Sequence, residues 1–185
     1  KHKHLVSKAL SFEKYLKHPT HNLAPGKYTD DTQMSIGIAE VMIKHHPNYN
    51  IKLFADAWVD CFKRDPRDGY ARRFQKFLEG IQSGQDFLDK IIPESEKNGA
   101  AMRAVPIGLI ANPEEVVRVA ELQASVTHNT KIGKWSAIAV ALMSHFAHHT
   151  NDDWIWLDSY VGRYMPATYD IKLVNEESAF DGKVT

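Results

Sequence analysis

Trp135, Ile138, Ala139, Leu142, Met143 and Phe146 recur at intervals of three and four residues, after an Asn129-Thr130 turn and Gly133. That spacing lays one apolar stripe along a helix of 3.6 residues per turn and does not fit the period of two that a strand requires. The same period returns along the chain. Met34, Ile38, Val41 and Met42 form a stripe that Pro47 stops at a His-His-Pro-Asn turn. Leu53, Ala57, Val59 and Phe62 mark a second helix ending near Arg64, and Pro66, Asp68 and Gly69 make the loop after it. Tyr70, Phe74, Phe77, Leu78 and Ile81 predict a third. Val116, Val119, Ala120 and Gln123 predict another, with Asn112 as its cap and Pro113 at its first position. Alternating runs are nearly absent. Lys172-Leu173-Val174 is short enough to be extended but too short to build a sheet. There is no internal repeat and no low-complexity segment. The expectation is one compact, all-α, multi-helix domain over residues 1–185.

Composition sets the class of partner. The chain has 185 residues, 43% apolar and 25% charged, enough for a substantial single core. Lys+Arg and Asp+Glu are equal at 23 each, so no net field draws it to nucleic acid or to an anionic membrane. The one cysteine, Cys61, has no partner for an internal disulfide and reads as a buried structural thiol in a reducing compartment. No apolar run approaches the ~18 residues of a membrane span. Lys1-His2-Lys3-His4 lacks the apolar core of a signal peptide, so a soluble cytoplasmic protein is expected.

Chemistry concentrates in three short stretches. The first, Lys27-Tyr28-Thr29-Asp30-Asp31-Thr32-Gln33-Met34, sets two adjacent carboxylates beside two hydroxyls where a loop becomes a helix. Neighbouring aspartates repel, and a hard divalent cation such as Mg²⁺ or Mn²⁺ relieves that repulsion with oxygen ligands alone. The alternative is structural: Asp31 caps a helix that starts at Thr32. The second stretch, Ser95-Glu96-Lys97-Asn98-Gly99-Ala100-Ala101-Met102-Arg103, reads as a tight turn opening a helix, with Gly84 and Pro93 nearby. Small residues there let a phosphate or ribose oxygen approach backbone N–H groups, or serve helix packing. Arg103 either pairs with a carboxylate of the first cluster or covers the helix surface. In the third, Ala124-Ser125-Val126-Thr127-His128, the histidine ends a helix and is either solvated there or a neutral donor or acceptor. His45-His46 and His148-His149 lack partners at zinc-ligand spacing and read as solvated. Asp152-Asp153, before Trp154-Ile155-Trp156, reads as a cap on an aromatic packing segment.

Taken in order, the Tyr-led TDDTQM, the SxxNGAAMR run followed by Pro106-Ile107-Gly108-Leu109, and the Thr127-His128 pair resemble the ADP-ribosylglycohydrolase family over about Tyr28 to Met143. The resemblance implies an all-helical fold, two Mg²⁺ or Mn²⁺ ions at the mouth of a cleft, and hydrolysis of the N- or O-glycosidic bond that joins ADP-ribose to a protein or small-molecule acceptor. It assigns Thr29, Asp30 and Asp31 to the metal, with Asp30 and Asp31 counted as catalytic, and Ser95, Asn98, Gly99, Met102 and His128 to the substrate. Family members also carry a Gly-Asp-containing helix with an acidic loop at the front and a glycine-led D-x-D-T motif at the back. Glu13 lies too close to Thr29 to serve as the former. Asp181-Gly182 lacks the second aspartate and the threonine of the latter. The expectation is a partial domain, and the alternative function is a catalytically inactive helical module that binds ADP-ribose or another nucleotide.

Overall fold

The computed structural model describes residues 24–165, so Glu13, Lys172-Leu173-Val174 and Asp181-Gly182 lie outside the described part. Helices dominate it: α1 (Asp30–His45), α2 (Ile51–Arg64), α3 (Arg72–Glu79), α4 (Gly84–Lys90), α5 (Gly99–Met102), α6 (Pro113–Ser125), α7 (Lys131–His149) and α8 (Leu157–Tyr164). Two 3₁₀ turns, Val105–Leu109 and Trp154–Trp156, complete the set. Among the described residues there is no strand, only an isolated bridge between Glu94 and His128. The all-α expectation holds.

Local chemistry places the boundaries. The Asn112 side chain accepts from the Glu115 N–H, with Pro113 opening α6. Thr130 accepts from Gly133 N–H at the start of α7, and Asn50 from Leu53 N–H at the start of α2. Each satisfies a donor that has no partner within its own helix. Asp153 accepts from Ile155 N–H and so caps a 3₁₀ turn; Trp154, Ile155 and Trp156 remain largely exposed, with Trp154 against the Phe146 ring at 5.7 Å.

Two boundaries differ from the expectation. The third helix covers only Arg72–Glu79, and Tyr70 and Ile81 flank it while both are buried. Apolar spacing reports burial, and burial continues past a helix end wherever the flanking loop still faces the core. Helix α4 also occupies the stretch in which Gly84 suggested a turn. A Cβ at Gly84 would fall 2.2 Å from Asp56 Oδ1, while Gly84 N–H donates to that oxygen at 2.8 Å. The glycine serves the close approach of α4 to α2.

α7 is the central strut. It packs against α6, α5, α8 and the Val105–Leu109 turn, while α1 and α2 pair beside it. Its stripe buries Ile138, Leu142 and Phe146; Trp135 and Met143 pack only partly against the core edge. Trp58 of α2 reaches the α1 backbone, donating to the Met34 carbonyl at 3.2 Å. Gly37 admits it, since a Cβ there would sit 2.8 Å from the indole. Phe54, Trp58, Phe74, Phe77 and Phe87 form a ring cluster between α2, α3 and α4. A fully buried aromatic of this kind contributes about 1.5–3 kcal/mol through removal from water. Cys61 is 3% exposed, as its structural reading requires.

Candidate active-site cleft

The residues that enter α1 are tied down by the loop after α2. The Tyr28 hydroxyl donates to the Asp65 carboxylate, and Arg67 donates to the same group through Nε at 2.8 Å and Nη2 at 2.5 Å. The Arg67 guanidinium lies 4.0 Å over the Tyr28 ring. These contacts hold the Asp65 carboxyl below the usual carboxylate range, the Tyr28 hydroxyl first and Arg67 second. Gly69, at φ +125°, closes the loop onto the motif: a Cβ there would lie 2.7 Å from Thr29 Cβ and 3.0 Å from Asp30 Oδ1. Gln33 completes the anchor. Its amide donates to the carbonyls of Cys61 and Asp65 and accepts from the Tyr70 hydroxyl at 2.8 Å.

This arrangement revises the capping alternative. α1 begins at Asp30 with Thr29 in the cap position, and the Thr29 side chain makes no capping bond. Both aspartates therefore fall in the first turn, where the helix dipole favours negative charge but neither carboxylate is needed as a cap. Asp31 is pushed above the usual carboxylate range, first by desolvation and then by the charge of Asp30.

Asp30 lines a cleft of about 580 Å³, within the range of small-molecule sites. Thr29 and Asp31 lie next to it in sequence but do not line that cleft. The same cleft is lined by Ser95, Asn98, Gly99, Met102 and His128. Helix packing thus gathers residues that are about 65 to 100 positions apart in sequence into one space. His46 lies elsewhere, on a separate apolar hollow with Tyr49.

The loop from Pro93 to Gly99 is held by the end of α6. Asn129 N–H donates to the Pro93 carbonyl at 2.6 Å, Ser95 N–H to the Thr127 carbonyl at 3.4 Å, and Thr130 Oγ1 to the Ser95 carbonyl at 3.3 Å. The Ser95 hydroxyl accepts from Lys97 N–H. Gly99 has an ordinary backbone; positive φ among the described glycines belongs to Gly26 and Gly69. The glycine is required by a neighbour instead, because a Cβ would meet His128 Cε1 at 2.8 Å.

Burial decides between the alternatives for His128 and overturns both for Arg103. His128 is 6% exposed, not solvated, and desolvation followed by the charge of Arg103 lowers it to about 4. Arg103 neither pairs with a carboxylate nor covers a surface. It is 1% exposed and lies 3.9 Å over the Trp58 ring.

Sequence reasoning missed part of the lining. Tyr70, Phe74 and Phe77, whose spacing predicts a core stripe, also line the cleft; three aromatics in eight positions are the available signal. Arg73, Lys90 and Lys97 add positive charge, and nothing in their spacing marks them. Thr127, beside His128, could have been found by adjacency alone.

Among the described residues, no three His, Cys, Asp or Glu side chains gather into a metal-sized group. Thr29, Asp30 and Asp31 offer oxygen donors of the type a hard cation takes, and of the three Asp30 alone lines the cleft.

A family model described as ADP-ribosylglycohydrolase matches residues 2–177, wider on both sides than the Tyr28–Met143 motifs. The chain is 32% identical over 130 residues to a protein named ADP-ribosylhydrolase ARH3 in Xenopus tropicalis, covering 65% of this chain and 36% of that protein. It is 28% identical over 128 residues to the Gallus gallus protein of that name, covering 65% and 35%. An uncharacterised protein of Archaeoglobus fulgidus matches at 28% over 134 residues, covering 69% and 42%. The matched segment thus spans roughly a third of the length of the two vertebrate relatives.

Proposed function

The chain belongs to the ADP-ribosylglycohydrolase family, and from that premise we propose that it takes part in hydrolysing the glycosidic bond between ADP-ribose and a protein or small-molecule acceptor. One observation carries the proposal: a single cleft is lined by Asp30 together with Ser95, Asn98, Gly99, Met102 and His128. The chemistry of the lining suits each part of that substrate. Tyr70, Phe74 and Phe77 offer flat apolar faces to a base. Arg73, Lys90 and Lys97 place positive charge where a diphosphate needs it. His128, neutral at physiological pH, offers a hydrogen bond to a ribose or phosphate oxygen without adding charge.

Thr29, Asp30 and Asp31 are the residues that would hold Mg²⁺ or Mn²⁺, two ions being the family complement. A cation held there would supply Lewis acidity and a polarised water for cleavage of the anomeric bond. Asp30 and Asp31 are in this sense the catalytic pair. The protein's own part is to bring the ribose against Asp30 and keep the base side dry. A partial domain over 1–185, completed by ligands outside the described residues, belongs to the same proposal. So does a cytoplasmic setting, which a lone buried Cys61 thiol suits; no described helix is long and apolar enough to cross a membrane.

A second reading, ADP-ribose binding without turnover, is supported by the finding that among the described residues no three His, Cys, Asp or Glu side chains gather closely enough to hold a metal. Calorimetry with ADP-ribose, alongside an assay for ADP-ribose release from modified serine and arginine peptides with and without Mn²⁺, separates the two. Metal-dependent release supports the hydrolase. Binding with no release supports the second reading, and absence of both rejects the cleft assignment.

A further inference from the structure

Arg103 is a buried cation whose partners are all neutral. Its Nε donates to Gln123 Oε1 at 2.7 Å, and its Nη2 to the Gln123 carbonyl at 3.2 Å and to Thr127 Oγ1 at 2.8 Å. The orientation of Gln123 is determined by its contacts: its Nε2 donates to the Ala100 carbonyl at 3.0 Å, so its Oε1 is the atom that meets the donor-only guanidinium. Thr127 Oγ1 in turn lies 2.6 Å from His128 Nδ1.

Donor and acceptor roles along this chain follow from chemistry. A guanidinium can only donate, so Thr127 Oγ1 accepts from Arg103. The hydroxyl hydrogen is then left for an acceptor, and His128 Nδ1 is within reach. With the hydroxyl donating to it, Nδ1 is the unprotonated nitrogen, and the neutral ring then carries its proton on Nε2. That Nε2 is buried and has no hydrogen-bond partner among the described residues. A buried polar atom left unpaired is costly, so its persistence asks for a use. A Cβ on Gly99 would lie 3.0 Å from Nε2, so only glycine lets this ring edge sit so close to α5, beside the cleft that both residues line.

We propose that Arg103 and Thr127 are positioning residues that hold His128 in the Nε2–H tautomer, so that Nε2–H donates to a hydroxyl or phosphate oxygen of the ligand in the cleft. The ligand half of this inference rests on the cleft being the ADP-ribose site; the tautomer half does not. The arrangement gives a fixed neutral donor in a cleft already rimmed by cations. A rotating hydroxyl or a protonated imidazole would offer less selectivity between hydroxyl and carboxylate oxygens.

The test uses the ¹⁵N-labelled full chain and long-range imidazole NMR, with the His128 signals identified by their loss in His128→Asn. The expected spectrum shows His128 protonated on Nε2. Thr127→Val should shift the ring toward the Nδ1–H form, and Thr127→Ser should restore the wild-type pattern. A wild-type ring protonated on Nδ1, or an unchanged ring in Thr127→Val, overturns the proposal. The wild-type spectrum decides this even if the valine variant fails to fold. Titration with ADP-ribose follows: Thr127→Val should bind about tenfold more weakly, the effect of one lost hydrogen bond, and Thr127→Ser near wild type. Equal affinities overturn the ligand half. If wild type binds no ADP-ribose, the cleft assignment and the ligand half fail together, while the unliganded spectra still decide the tautomer.

Discussion

A side chain at position 99 would collide with an imidazole, and that contact gives glycine a role there that the local sequence conceals. The Asn98-Gly99 pair suggests a tight turn, but the φ of Gly99 is unremarkable and the restriction comes from His128, distant in sequence. Gly99→Val should therefore displace the ring and weaken ADP-ribose binding at least about tenfold, with little change in far-ultraviolet circular dichroism. Equal affinities by calorimetry would rule this out. The aspartates call for a different test. Burial first and the charge of Asp30 second hold Asp31 above the normal carboxylate range, a cost in the folded state. Replacing Asp30 and Asp31 together by Asn should abolish Mn²⁺ binding while stability stays within about 0.5 kcal/mol or rises slightly. A Mn²⁺ titration matching wild type would refute the metal assignment.

Along each element the apolar spacing identifies the buried face well and the ends poorly. α7 is the clearest case. Leu142 is fully buried on the stripe its spacing predicts, so Leu142→Ala should cost ~2–5 kcal/mol in urea unfolding, from lost burial and an unfilled cavity. A loss below ~0.5 kcal/mol, the range of surface substitutions, would place the stripe on the wrong face. The Val105–Leu109 turn makes a complementary point. Gly108 packs against α7 so closely that a Cβ would lie 2.5 Å from Ser144 Cβ and 2.6 Å from the His145 backbone nitrogen. Gly108→Ala should destabilise by ~1–3 kcal/mol through overpacking, because backbone atoms on a central helix cannot yield cheaply. A melting curve superposable on wild type would show that α7 yields after all. Neither α4 nor the short reach of α3 could be read locally, since both depend on what lies across from Gly84, Tyr70 and Ile81.

At the scale of the whole molecule, acid is the natural probe. His128 and His145 are both buried, and His145 bonds to the Ala111 carbonyl and the Tyr160 hydroxyl. Burial lowers both, His128 to about 4 from 6.5. As pH falls below the unfolded value near 6.5, the unfolded chain takes up protons that the folded chain refuses. Stability contributed by these rings is complete above that value and is lost as pH drops toward the folded values. A melting-temperature scan from about pH 8 to about pH 5 should decline, and His145→Gln should flatten the decline. A flat wild-type profile would contradict the burial of both rings. What the sequence determined by itself was of short range: helical stripes, Asn112 and Pro113 at the start of α6, the paired carboxylates at the start of α1, and the family motifs that named the candidate residues. These are legible because periodicity, capping and adjacent charge act within a few residues. The tertiary structure alone decided that Asp30 and His128 share one cleft, that aromatics assigned to a stripe line it, and that Arg103 is an internal support rather than a surface cation. Those outcomes depend on which helices meet and how closely, and no local window of sequence contains the opposing surface.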